Sequence, residues 1–110
     1  DIKRAVFLEG GLAQKLLNIQ YQERKATPFQ GRLNGLKINE KIVKRLLPEI
    51  QNKLNEYNKN YYQSLEKIIA RYMLNSDFDE ISNTEMSFYF TTGMNLANEF
   101  QFSKQKIERG

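Results

Sequence analysis

The 110-residue chain, with 40% hydrophobic and 27% charged side chains, has material for one buried core and is too apolar for wholesale disorder. It has no cysteine and no histidine, which excludes disulfides, thiolate metal sites, the commonest general base and the usual nucleophilic triads. The net charge of +4 is unevenly spread: eleven basic against five acidic residues up to Asn55 give +6, and six against eight beyond it give −2.

No apolar run approaches the roughly 20 residues of a membrane span, and the N-terminus carries no signal-peptide pattern. The chain opens on Asp1 rather than Met, so it reads as a trimmed or internally derived piece. A cytoplasmic, membrane-free protein with a single domain over 1–110 is the expectation.

Ala5, Leu8, Leu12, Leu16 and Ile19, with Phe7 and Leu17 beside them, recur at spacings of three and four. They predict a first helix from Ile2 to about Arg24. Gly10-Gly11 in its middle costs about 1 kcal/mol per glycine against alanine, and close approach of another helix is the structural reason to expect. The stretch 26–38 follows as a turn-rich loop, with Pro28, Gly31 and Gly35 shaping it and Phe29, Leu33 and Leu36 able to pin it to a core.

Asn39 is an N-cap for a helix from Glu40. The series Val43, Leu46/Leu47, Ile50, Leu54, Tyr57, Tyr61, Leu65, Ile68 and Tyr72 then holds helical phase. Pro48 clashes with the Lys44 carbonyl and Asn58-Lys59-Asn60 is a second weak point, so the prediction is 40–47, 48–57 and 59–74, or one bent rod. After an acidic turn at 75–80, Ser82 and Glu85 form an S-x-x-E capping box with Ile81 and Met86 as its hydrophobic staple. That last helix is expected to reach about Phe102, with Met86, Tyr89/Phe90, Gly93, Ala97 and Phe100 on one side and a fraying tail beyond. Gly93 and Ala97 again permit a close neighbour. No segment alternates like a strand, so the fold class is all-α, a compact bundle of four to five helices.

Between Arg24 and Arg45 there are seven basic residues and one acid, Glu40. Arg24, Lys25, Arg32, Lys37, Lys41, Lys44 and Arg45 are the candidate nucleic-acid contacts, a set that suits phosphate tracking without base-reading side chains. The plain alternative is a solvated face kept charged for solubility. Tyr57, Tyr61 and Tyr72 read as core with their hydroxyls at the rim, and Tyr62 is open to either core or base stacking. Asp77, Asp79 and Glu80 fit solvated turn acids better than a magnesium site, because the calcium-loop template fails at Glu80 and Met86. A helix-turn-helix is disfavoured by a basic connection of about a dozen residues where three or four are needed. No catalytic set, metal or cofactor is expected.

The segments LLNIQYQERKATPFQGRLNGLKI, KRLLPEIQNKLNEY and FYFTTGMNLANEF together resemble the C-terminal region of the large subunit of type I-B CRISPR Cascade complexes, over about Ala5 to Phe102. In that family the same region is also produced separately as the small subunit. The most specific parts are Asn18, Gln20 and Tyr21, the T-P-F at 27–29 and the G-L-K at 35–37. The resemblance implies a non-catalytic helical small subunit whose partners are the backbone and large subunits, further copies of itself, guide RNA and target DNA, including the displaced strand. The seven contact candidates rest on charge clustering and are not carried over from that family. A protein–protein adaptor, a stand-alone DNA-binding regulator and, distantly, a metal-dependent nuclease working through Asp77, Asp79 and Glu80 stand as alternatives.

Overall fold

In the computed structural model, residues 2–23, 27–57 and 62–97 are described. They form five α-helices and one 3₁₀ turn: α1 (Ile2–Gln22), α2 (Pro28–Leu33), α3 (Glu40–Glu56), α4 (Gln63–Leu74), the turn Phe78–Glu80, and α5 (Asn83–Leu96). The all-α bundle anticipated from periodicity is the architecture found. The Asn58-Lys59-Asn60 break, Tyr61, Phe100 and the tail from Ser103 lie outside the described residues.

Helix α1 is the central strut. It packs most extensively on α5 and also touches α4 and α3, whereas α3 and α4 meet each other only sparingly. Its buried stripe runs through Ile2, Ala5, Val6, Glu9, Leu12, Ala13, Leu16 and Gln20. This stripe is rotated from the one expected: Phe7, Leu8, Leu17 and Ile19 are only partly buried. The core it builds is completed by Phe29, Val43, Leu46, Ile50, Leu54, Leu65, Ile69, Met86 and Phe90. Ile69 rather than Ile68 is the buried position on α4, because α4 is a separate helix and need not continue the phase of α3.

The glycines explain the α1–α5 crossing. A Cβ on Gly10 would overlap the Phe90 carbonyl, and one on Gly93 would overlap the Phe7 carbonyl and crowd the Gly11 backbone nitrogen. Each helix therefore places a bare backbone against the other's main chain, and the glycines on the two helices meet at one contact. The helix-propensity cost of about 1 kcal/mol per glycine is offset by a backbone approach that no other residue permits.

Local signals set most helix ends. The Asn39 side chain accepts from the Ile42 N–H at 2.9 Å, capping α3. Both bonds of the Ser82/Glu85 capping box form at 3.1 Å, with Ile81 and Met86 buried beside it. Two expectations are corrected. The stretch after Thr27 is not a plain loop: Thr27 caps a short helix whose first residue is Pro28, where the missing N–H costs nothing. And α3 runs unbroken through Pro48. Pro48 and Lys44 both face solvent, so water can satisfy the carbonyl that loses its donor, and the apolar face opposite holds the helix together.

Glu9 is an anomaly in this core. It is fully buried in the middle of the α1 stripe, and neither carboxylate oxygen has a hydrogen-bond partner among the described residues. Burial pushes its pKa well above the ordinary carboxylate range, so the neutral acid is the form the fold accommodates.

Two predictions follow from the packing. Gly93→Ala should lower the unfolding free energy by about 2 kcal/mol or more despite its better helix propensity, because the obstructing atoms are backbone. Gly31→Ala, where nothing stands near the new methyl, is the control in the same denaturant titration. A Gly93→Ala chain as stable as the parent would dismiss the close crossing. For Glu9 the folded pKa lies above the unfolded one, so its stability contribution is full below about pH 4.3 and is lost as pH rises through the folded pKa. Glu9→Gln should therefore melt above the parent at neutral and alkaline pH, with the gap closing toward pH 4 in thermal melts across that range.

Candidate nucleic-acid interface

The segment that follows α1 is fastened at its start. Buried Gln20 accepts a hydrogen bond from the Thr27 hydroxyl at 2.9 Å, while the same Thr27 oxygen accepts from the Gln30 N–H at 3.3 Å. One side chain thus ties the end of α1 to the first turn of α2. Phe29 follows in the core, with the Arg32 guanidinium 5.7 Å and the Lys53 ammonium 5.9 Å from its ring centre. Gln20 and the T-P-F run therefore have a shared structural role, whereas Tyr21 beside them is 79% exposed.

The seven candidate cations divide into three groups. Arg24 and Lys25 lie outside the described residues. Arg32 and Lys44 are exposed but engaged: Arg32 forms a two-pronged pair with Glu49 of α3, and Lys44 pairs with Glu40 at 2.7 Å and sits 5.1 Å from the Phe78 ring centre. Lys37, Lys41 and Arg45 are exposed and form no ion pair among the described residues. Of the seven candidates, those without an ion pair among the described residues therefore sit on the 34–39 link and the first two turns of α3. Lys41 and Arg45 stand one turn apart there.

Sequence reasoning missed two parts of this site. Glu49 is seventeen positions from Arg32, and no local spacing announces their pairing. The second is a cavity of about 220 Å³ between α2 and α3, with Phe29, Leu33, Leu36, Ile42 and Leu46 as apolar walls and Arg32, Arg45 and Glu49 completing its lining. The three apolar anchors were legible; the space they leave was not.

The tyrosines agree with their reading as core in part. Tyr57, Tyr62 and Tyr72 are partly buried against the core, and Tyr72 carries the Arg4 guanidinium 5.8 Å from its ring centre. In the acidic turn the Asp77 carboxylate accepts from the Asp79 N–H at 2.9 Å and caps its own 3₁₀ turn. No helix among the described residues is long and apolar enough to cross a membrane.

The Arg32–Glu49 pair is solvent-exposed on the arginine side, which keeps its net worth small. Glu49→Gln should change stability by less than about 1 kcal/mol in chemical denaturation while freeing one more cation at this surface. A loss several times larger would mean that the pair holds α2 in place.

Against known families, residues 1–108 match the CRISPR-associated protein TM1802 (cas_TM1802) C-terminal domain. No curated protein and no solved structure matches the chain significantly. The family match spans almost all of the chain and carries the same CRISPR association that the Gln20, T-P-F and G-L-K segments imply. The chain is a member of the CRISPR-associated TM1802 C-terminal domain family.

Proposed function

We propose that this domain is a non-catalytic, small-subunit-like module of a type I-B CRISPR RNA-guided surveillance complex. In this reading it packs along the guide-bearing backbone and stabilises the R-loop through sequence-independent contacts to nucleic-acid backbone, in the cytoplasm. Its partners are the backbone and large subunits, further copies of itself, guide RNA and target DNA. The observation that carries the reading is the unpaired cation group Lys37, Lys41 and Arg45 on a helical domain of a CRISPR-associated family. Exchange of a DNA duplex for a guide–target heteroduplex is nearly balanced, so a few phosphate contacts suffice to tip it.

A second reading, a protein–protein adaptor, has its own observation. A groove between α3, α4 and the acidic turn is lined by exposed Leu74, half-buried Met73 and buried Phe78, with Asp77 and Asp79 and the Glu40–Lys44 pair at its edge. An apolar floor with an acidic rim suits a basic protein surface better than a phosphate chain.

Two measurements separate them. The purified chain, mixed with a guide-loaded type I-B backbone lacking its small subunit, should co-elute stoichiometrically and tighten target binding in a salt-sensitive way. A folded chain that fails to join would overturn the small-subunit reading and put the adaptor first. Replacing Lys37, Lys41 and Arg45 together by Glu should weaken binding of the assembled complex. The log–log salt slope should flatten by about 2–3, the contribution of three phosphates at 0.7–0.9 each.

A further inference from the structure

The cavity between α2 and α3 lies inside the basic segment, and its lining is chemically divided. Phe29, Leu33, Leu36, Ile42 and Leu46 supply apolar walls. Arg32 is held by both oxygens of Glu49 and leans over the Phe29 ring, so one side of the mouth has a fixed, charge-compensated guanidinium. Arg45 lines the other part and has no ion-pair partner among the described residues. Lys37 lies on the link that leads into α3 and Lys41 stands one turn before Arg45, so the segments beside the cavity bear two further cations without an ion pair among the described residues.

We propose that this cavity receives one unstacked base of a single-stranded nucleic acid, with Arg45, Lys41 and Lys37 gripping the adjoining phosphates. The inference rests on the backbone-contact reading above and adds which form of nucleic acid is bound. Three observations select this occupant. A volume of about 220 Å³ is below the roughly 300–1,000 Å³ of pockets for drug-sized molecules, so one small group fits rather than a stacked pair. Its walls are apolar, with one arginine plane fixed beside an aromatic ring, and a base offers two apolar faces that stack on such surfaces. The remaining charge at the mouth is positive, because Glu49 is consumed by Arg32, so the group must hang from an anionic chain. A duplex keeps its bases paired and stacked, and cannot present one without the cost of flipping it.

The test compares the chain's binding to a short mixed-sequence single strand and to the duplex of the same sequence, by fluorescence anisotropy across a salt series. A companion measurement uses the single strand with 2-aminopurine at one position. The single strand should bind about tenfold more tightly than the duplex, as one seated base allows. The 2-aminopurine emission should rise at saturation as that base leaves its stack.

Leu33→Trp, which fills the cavity with an indole, should remove most of the single-strand advantage and leave the salt slope unchanged. Ile42→Phe serves if the first variant fails to fold by circular dichroism. The inference alone is overturned if reversal of Lys37, Lys41 and Arg45 abolishes binding while single strand and duplex bind alike, or if 2-aminopurine stays dark. Both it and the backbone-contact reading fail if that charge reversal leaves binding intact. Binding to an acidic peptide with an apolar side chain, and not to nucleic acid, would assign the cavity to a protein partner instead.

Discussion

The structure depends on the α1–α5 crossing, where Gly10 meets the Phe90 main chain and Gly93 meets the main chain of Phe7 and Gly11. With the two helices locked at that distance, the opposite face of α1 is free to carry the core, and α3 and α4 pack on it rather than mainly on each other. A methyl group at Gly10 or Gly93 would collide with main-chain carbonyls, which cannot rotate away as side chains do. The crossing is therefore specified sterically, and the axis of α1 follows from it. The direction in which α1 delivers Gln20 follows in turn, and Gln20 is where the basic segment is attached.

The charges then sort themselves by geometry rather than by count. Seven basic residues in the segment from Arg24 to Arg45 look equivalent as a string. In the fold, Glu49 takes Arg32 and Glu40 takes Lys44, so of that segment's described cations Lys37, Lys41 and Arg45 are left without an ion pair among the described residues. Neither pair contributes much stability, since exposed pairs are worth about 0–1 kcal/mol. Their effect is on where the positive potential is left over. A surface of this kind is suited to a polyanion, because each phosphate contact adds affinity independently of base identity.

What could be read in the sequence was what short-range chemistry fixes. Asn39, and Ser82 with Glu85, announce their caps because a side chain bonds backbone three residues away. The glycines on α1 and α5 announced close approach, though not that they face each other. Helix α2 was missed although Thr27-Pro28 carries a cap and a first-turn proline; Gly31 and Gly35 suggested turns, and Gly35 does lie in the turn that follows α2, whereas Gly31 sits within the helix. Pro48 was over-weighted, because its effect depends on whether the orphaned carbonyl faces water. Glu9 stayed hidden for the opposite reason: polar residues are assumed outside the stripe, and only tertiary packing puts this one at its centre. The Arg32–Glu49 pair and the α2–α3 cavity are products of two elements meeting, and neither has a local signature.

Helix α2 has six residues, far too few to persist alone, since isolated helices shorter than about 12–15 residues are marginal in water. It is held by the Thr27 cap, by the bond from Thr27 to buried Gln20 and by the anchoring of Phe29 in the core. The entropy of ordering this segment has therefore been spent in folding, before any ligand arrives. A disordered basic arm of the same charge would meet that cost at binding, and would lose affinity by it. The resemblance segments centred on Gln20 and the T-P-F run thus contribute indirectly. They fix the short helix that walls the cavity and leads toward the helix bearing Lys41 and Arg45. Loss of the Gln20–Thr27 bond would be felt at Lys37, Lys41 and Arg45 as lost preorganisation rather than lost charge.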